Sequence, residues 1–166
     1  MLRVAIIVGS TRPGRKGEAV ARWVYEIAGS RGDAEFELVD IKDYDLPLLD
    51  EPKSAISGQY SNGHTKAWSA KIASFTIDYL FHEWKNKAAG FVGYGGAGGI
   101  RAVENLRLVM GELMVADVRA QVALSLYTDF ENFEAFKPAP HQEKSVHDVL
   151  DQVIAWGGAL RSLREQ

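Results

Sequence analysis

The apolar positions at the start of the chain follow the order strand, helix, strand. Arg3–Val8 contains an unbroken apolar run, which is typical of a strand buried on both faces. From Glu18 to Ala28 the apolar residues recur at helical spacing, and the glycines of Gly29–Gly32 supply the expected end of that helix. Phe36–Ile41 predicts the second strand. A unit of this kind opens a parallel α/β sheet.

The later residues predict two more strands, two more helices and two long irregular stretches. The strands are Phe91–Tyr94 and Val118–Leu126, the helices are Ala102–Met114 and His141–Leu163, and the irregular stretches are Asp43–Gly63 and Thr128–Pro140. Leu106 and Trp156 are expected among the inward-facing positions of the two helices. Together these elements predict an α/β fold with a small doubly wound parallel sheet.

An aromatic stripe lies in the middle of the chain. Its members are spaced three to five residues apart: Trp68, Ile72, Phe75, Tyr79 and Trp84. This spacing predicts either a single helix from about His64 to Asn86 or two helices that meet near Ser74. A stripe of this kind is more often core or subunit interface than a cofactor site.

Length, charge and composition exclude several classes of protein. The chain has 166 residues, which is typical of one domain (1–166), and its net charge of −3 argues against nucleic-acid binding. There are no cysteines, so a thiol nucleophile and a cysteine-ligated metal are excluded, and no histidine spacing predicts a metal site. No apolar run is long enough to cross a membrane or to form an export signal, so we expect a cytoplasmic protein.

The first motif that carries chemistry is the loop Gly9–Gly17, between the first strand and the first helix. It supplies hydroxyls and cations suited to phosphate: Ser10, Thr11, Arg12, Arg15 and Lys16. Gly17 opens the helix, whose first backbone N–H groups and dipole also favour an anion. We interpret this loop as a phosphate-binding loop. Its glycine spacing differs from that of a Walker A motif.

The second motif is the glycine-rich turn after the third predicted strand, formed by Tyr94, Gly95, Gly96, Ala97, Gly98 and Gly99. With Gly93 it contains a G-x-G-x-x-G pattern. A Rossmann interpretation is weak, because the acidic partner would have to be the distant Asp129. The glycines more plausibly let the backbone approach a flat ring or a second nucleotide. Because ligands bind beyond the carboxyl ends of parallel strands, both loops are expected to converge on one site for a mononucleotide-type cofactor.

In these residues the chain resembles the NADPH-dependent FMN reductase family, whose fold is flavodoxin-like. That fold has three layers, with a sheet between two layers of helices (αβα). The matching segments cover nearly the whole chain: Val8–Arg15, Gly17–Ala21, Asp45–Glu51, Ile77–Leu80, Glu83–Trp84, Lys87, Tyr94–Gly96, Gly98–Gly99 and Arg101–Val103. The resemblance implies that Ser10, Arg12 and the backbone of 15–17 hold the FMN phosphate. It also implies that the backbone of 95–99 runs beside the flavin ring.

The resemblance carries further expectations about the reaction and the partners. NADPH is the co-substrate that supplies hydride, and a small-molecule electron acceptor such as a second flavin or a quinone receives the electrons. The protein contributes position and electrostatics, so no catalytic acid or base is expected. A homodimer or higher homo-oligomer is implied.

One segment of the family pattern is missing. Ala73–Phe75 runs directly into Thr76–Asp78, where the family usually has a third strand and a Pro-Glu-Tyr-Asn type loop that cradles the flavin ring. The sheet is therefore expected to have four strands. Because a gap would leave backbone groups of the first strand unpaired, we expect either that the Phe91 strand pairs with the Val4 strand or that a second subunit fills the place by exchange.

Two alternatives stay open at this point. The chain could be a flavodoxin-like binding module that no longer holds flavin. It could also be a Rossmann-type NAD(P) module that uses Gly93, Gly95 and Gly98.

Overall fold

The predicted elements form close to their expected positions. The computed structural model describes residues 1–47, 51–53, 57–72 and 83–164. The elements in chain order are β1 (Arg3–Val8), α1 (Gly17–Gly29), β2 (Glu35–Asp40), a 3-10 helix (Ile41–Tyr44), α2 (Gly63–Ile72), β3 (Ala88–Gly95), α3 (Ile100–Glu112), β4 (Ala116–Ser125), β5 (Phe130–Glu131), β6 (Ala135–Phe136), α4 (His141–Ala159) and α5 (Arg161–Arg164). The α/β class is confirmed.

The strands pair two by two. β1 pairs in parallel with β2, with Val8 opposite Asp40, and β3 pairs in parallel with β4, with Gly95 opposite Ser125. Within the described residues β1 pairs only with β2 and β3 only with β4, so the expected pairing of the Phe91 strand with the Val4 strand is wrong. β3 packs closely against α4: a Cβ at Gly90 would lie only 2.6 Å from the Val149 side chain.

β1 and β3 nevertheless run in the same direction. At their starts, the side chains of Leu2 and Ala88 both lie within 4 Å of the position of a Cβ on Gly157. At their ends, the side chains of Val8 and Tyr94 both lie within 4 Å of the corresponding position on Gly17. All four main strands therefore share one direction, as in a doubly wound sheet, but a space separates the two pairs.

Helices cover both faces of the strands and give three layers. The first apolar cluster joins α1 and α4 to the strands, with the buried members Val20, Val24, Ala28, Val118, Val122, Leu124, Phe130, Val146, Val149, Leu150 and Val153. The second cluster lies on the opposite face, with the buried members Val39, Trp68, Trp84, Phe91, Val103, Met110 and Val115. Side chains of β1 alternate between them: Ile6 packs against the first cluster and Ile7 against the second. This alternation confirms the αβα arrangement.

The helix predicted to reach Asn86 is wrong at its end. Residues 83–86 form a turn, and the φ of Asn86 is +63°, which a helix does not tolerate. Residues 73–82 lie outside the described part, and with them Phe75, Tyr79, the proposed junction at Ser74 and the matching segment Ile77–Leu80. Trp68 and Trp84 are both buried at 2% exposure, as expected for core.

Three smaller expectations are also corrected. Trp156 is 50% exposed, because Gly157 takes the inward position on α4 and packs against Leu2. Leu106 is 37% exposed, because it borders the space between β1 and β3. The stretch Thr128–Pro140 is not irregular throughout: it contains the antiparallel hairpin of β5 and β6, whose turn has positive φ at Asn132 and Phe133.

Candidate nucleotide site

The loop between β1 and α1 presents donors at the carboxyl end of the strand. Ser10 is half-buried, and Thr11 and Arg12 are exposed. Lys16 precedes α1 without a side-chain cap, so the first backbone N–H groups of the helix have no acceptor from a capping side chain. Hydroxyls, an exposed guanidinium and an uncapped helix start together form a setting suited to an anion.

The three cations of this loop have different surroundings. Arg15 forms an ion pair with both carboxylate oxygens of Asp40, at the end of β2, and its side chain is only 9% exposed. The hydrogen bond from Arg15 holds the pKa of Asp40 below its ordinary value. Lys16 Nζ lies 2.6 Å from Glu134 Oε2 in the β5–β6 hairpin. Arg12 makes no ion pair with any residue that the structure describes, so its charge is available to a ligand.

The glycine-rich loop after β3 folds tightly against its own backbone and against β4. A Cβ at Gly93 would lie 2.6 Å from the carbonyl oxygen of Gly98. Gly98 has a φ of +64°, and a Cβ there would lie 2.8 Å from the Cβ of Ala123. These glycines are therefore required by packing within the protein. The exposed part of the loop is the stretch Gly96–Ala97.

The two loops meet at Gly17 and Tyr94. The hydroxyl oxygen of Tyr94 lies 3.4 Å from the position that a Cβ on Gly17 would take, so the glycine makes room for the phenol. The Tyr94 ring also packs near Phe130, with ring centroids 6.2 Å apart. The structure thus brings the start of α1 and the end of β3 to one edge of the sheet.

A third loop, which the sequence did not single out as functional, closes this edge. The backbone N–H of Leu126 donates to the carbonyl oxygen of Gly95 at 3.0 Å, and Ser125 Oγ donates to that of Gly96 at 3.3 Å. Tyr127 lies 3.8 Å from the position of a Cβ on Gly96. Residues 125–127 therefore border the exposed part of the glycine-rich loop.

Asp129 holds the third loop together. Its carboxylate is fully buried and accepts hydrogen bonds from the backbone N–H groups of Ser125 (2.8 Å) and Ala139 (2.9 Å) and from the hydroxyl of Thr128 (2.9 Å). Burial alone would raise the pKa of Asp129, but these hydrogen bonds outweigh it and the pKa is lowered. A carboxylate committed in this way is not available to a ribose hydroxyl, which argues against the Rossmann alternative.

Other kinds of site find no support among the described residues. In residues 1–47, 51–53, 57–72 and 83–164, no group of three or more His, Cys, Asp and Glu side chains could hold a metal ion. No helix in the same part of the chain is long and apolar enough to cross a membrane.

Parallel strands whose carboxyl ends carry an uncapped helix start and a glycine-rich loop define a mononucleotide-binding protein of the doubly wound α/β class. The model of the NADPH-dependent FMN reductase family matches residues 2–76 and 74–129 of the chain. This chain belongs to that family. Its fold is therefore flavodoxin-like, as the resemblance implied.

Curated relatives agree with the family match. The chain is 33% identical over 159 residues to the NAD(P)H-dependent FMN reductase ntnL of Nectria sp, covering 78% of this chain and 79% of that protein. It is 32% identical over 185 residues to the NAD(P)H-dependent FMN reductase C4B3.06c of Schizosaccharomyces pombe, covering 98% and 86%. A third similar protein is the NAD(P)H-dependent FMN reductase LOT6 of Saccharomyces cerevisiae, 26% identical over 140 residues. The protein is an oxidoreductase that uses FMN and NAD(P)H.

The family match is divided near the segment that we expected to be missing. The family model matches the chain in two parts, 2–76 and 74–129, which meet at residues 74–76. The alignment with the S. pombe relative is 185 positions long, whereas this chain has 166 residues, so at least 19 positions of the relative have no counterpart here.

Proposed function

We propose that this protein transfers reducing equivalents from NADPH through FMN to a small-molecule acceptor, either a second flavin or a quinone. The observation that carries the proposal is the convergence of the loop containing Arg12 with the Tyr94–Gly96 backbone at the carboxyl ends of parallel strands. The residues present fit the phosphate end of FMN, because the helix start is uncapped and the Arg12 guanidinium is exposed without an ion pair among the described residues.

Each part of the site has its own task in this proposal. The hydroxyls of Ser10 and Thr11, the Arg12 guanidinium and the backbone N–H groups from Gly17 onward bind the phosphate. Arg15 and Lys16 fix the shape of the loop through Asp40 and Glu134. The exposed backbone of Gly96 and Ala97, next to Gly95, would hold the ring, and its course is set by the packing of Gly98 and Gly99. Bound FMN supplies the redox chemistry, accepting hydride from the nicotinamide and releasing electrons to the acceptor.

The protein is further proposed to act as a cytoplasmic homodimer or higher homo-oligomer. Exposed apolar side chains at α3 and its end support association: Ile100, Leu108, Val109 and Met114 are between 45% and 78% exposed. The absence of cysteine from the sequence fits a reducing compartment. We propose neither nucleic acid nor a membrane as a partner.

Titration of the purified protein with FMN, followed by an NADPH oxidation assay with a quinone, tests this function. Arg12→Ala should weaken FMN binding roughly tenfold to a hundredfold, because it removes a charge-assisted bond to phosphate. Arg119→Ala is the matched control, since Arg119 is an exposed arginine on β4 outside the proposed site. Failure of the unaltered protein to take up FMN would favour the binding module, and uptake of NADPH alone would favour the Rossmann alternative.

A further inference from the structure

A cleft of about 840 Å³ separates β1 from β3. Its walls are the facing edges of the two strands, lined by residues 1–10, 87–92 and 94. Its floor and roof come from the two apolar clusters, including Val20 and Val149 on one side and Trp68 and Trp84 on the other. The cleft follows the full length of β1.

β1, beside the cleft, is less buried than a central strand of a doubly wound sheet usually is. Val4, Ala5, Ile6 and Ile7 are all half-buried, although β1 is a central strand of a doubly wound sheet. By contrast, β4 has side chains with no exposure at all: Val118, Val122 and Leu124. Within the part of the chain that the structure describes, the apolar surface of β1 is therefore uncovered on its β3 side.

Backbone polar groups that have no partner among the described residues also face this space. In a parallel strand, alternate residues direct their backbone N–H and C=O groups to opposite sides. One side of β1 pairs with β2 and one side of β3 pairs with β4, and the other sides face the cleft. Groups of this kind call for an occupant that donates and accepts hydrogen bonds.

The charges of the cleft lie at one end. Among the described lining residues there is no acid, whereas Arg3, Lys87, Arg161 and Arg164 line the starts of β1 and β3. Arg3 is engaged with Glu35 and Glu37. Burial and then the charge of Arg164 lower the pKa of Lys87 to about 8. Lys87 and Arg164 are half-buried, so a carboxylate of an occupant at this end would add to the compensation that Glu83 gives Lys87.

We propose that the cleft binds an extended polypeptide strand supplied by a partner protein, apolar on both faces and preceded by an acidic residue. The strand lies parallel to β1 and β3 and hydrogen-bonds to both, by β-strand addition. Its alternate side chains complete the two apolar clusters, as Ile6 and Ile7 do on β1. Its N-terminal acid meets Lys87 and Arg164, because a parallel strand begins where β1 and β3 begin. The proposal does not depend on FMN binding.

Three features favour a peptide strand over other occupants. An amphiphile such as a fatty acid matches the apolar lining and the cations, but it leaves two rows of backbone groups unpaired. A second copy of this chain has the same edges to satisfy and presents no spare strand among the described residues. The S. pombe relative has at least 19 positions with no counterpart in this chain, so a strand in the same place is compatible with the family fold.

Hydrogen exchange followed by mass spectrometry tests the proposal. The probe is an acetylated peptide of about eight residues, matched to the length of β3, with Glu at its start followed by alternating Val and Ile, so that both faces are apolar. One control peptide has Lys in place of Glu. A second has Pro at alternate positions, which removes backbone donors.

In the free protein, amides of β1 and β3 should exchange at least tenfold faster than those of β4. The acidic peptide, at about ten times its Kd, should slow exchange in β1 and β3 roughly tenfold, and the proline peptide should have no effect. Lys87→Met should weaken binding of the acidic peptide about tenfold and should leave binding of the Lys peptide unchanged or tighter.

Four results would overturn the proposal. Slow exchange of β1 and β3 in the free protein at low concentration means that the chain closes the cleft itself. Protection that increases with protein concentration and is not enhanced by peptide assigns the cleft to a second copy. Binding of palmitate by a protein that does not bind the peptide assigns it to an amphiphile. If Lys87→Met loses the same affinity for the acidic peptide and for the Lys peptide, the acidic residue does not bind Lys87.

Discussion

Replacing Asp129 with Ala should destabilise the protein more than replacing an exposed Asp or Glu with Ala does. The side chain of Asp129 is fully buried and accepts hydrogen bonds from the backbone of Ser125 and Ala139, 10 residues away, so it joins the end of β4 to the residues before α4. Truncation leaves both N–H groups without an acceptor in a partly buried place. Each such group costs about 1–3 kcal/mol, and because both hydrogen bonds are only part-buried we expect the lower part of the sum, a loss of about 2–4 kcal/mol in the free energy of unfolding.

Urea unfolding measures this loss. With a slope typical of small proteins, the midpoint for Asp129→Ala should fall by about 1–2 M. Asp148→Ala is the matched control: Asp148 is exposed and pairs with Lys144 one helical turn away, a contact worth about 0.3–0.5 kcal/mol. If the two variants lose the same stability, the hydrogen bonds to Asp129 do not organise the loop and this reasoning is wrong.

The pH dependence of the free energy of unfolding gives a second check on Asp129. Its pKa in the folded protein is lowered, so its contribution is present above the unfolded value of about 3.9 and is lost as the pH falls through the folded value. The stability difference between the unaltered protein and Asp129→Asn should therefore be constant between about pH 5 and 7 and should shrink below about pH 4. A difference that grows on acidification contradicts the assigned direction.

Three further substitutions test the loops, with Gly158→Ala in α4 as the control for the first. Gly98→Ala should lower the free energy of unfolding by about 2 kcal/mol or more, because its Cβ would meet Ala123 at 2.8 Å and its φ is +64°. Gly158→Ala, in the open part of α4, should instead stabilise the protein by up to about 1 kcal/mol. Thermal unfolding compares the two variants. Lys16→Met should lower stability by less than about 1 kcal/mol, because Glu134 is 82% exposed; a larger loss in urea unfolding would make the pair structural. Arg12→Ala should leave the unfolding midpoint unchanged while it weakens FMN binding, and equal losses in both measurements would remove Arg12 from the site.

The four parallel strands could be predicted because each contains a short run rich in apolar residues, whereas the two-residue strands β5 and β6 are too short to give such a pattern. β1 matches its predicted bounds, whereas β3 begins three residues earlier than expected, at Ala88. The earlier start includes Gly90, whose lack of a side chain lets the strand lie against Val149 of α4. That contact is between residues 59 positions apart in the sequence, so local patterns do not reveal it.

The loop chemistry was predicted by residue type and only partly by partner. The sequence indicated that Arg15 and Lys16 are phosphate donors, but the structure places both in ion pairs with Asp40 and Glu134. The Asp40 partner could have been anticipated, because parallel pairing puts the end of β2 beside the end of β1. Glu134 could not, since it lies in a hairpin whose turn depends on two residues with positive φ.

The phosphate loop and the cleft depend on different parts of the chain. The phosphate loop is held by Arg15 to β2, by Lys16 to the β5–β6 hairpin and by the packing of Tyr94 on Gly17. All of these contacts lie within the described residues, and none requires a strand between β1 and β3. The described residues place no strand between β1 and β3, which leaves β1 without pairing and apolar cover on that side but keeps the supports of the phosphate loop. A chain of this design can retain affinity for a nucleotide phosphate while the interior of its sheet remains open to a strand from another protein.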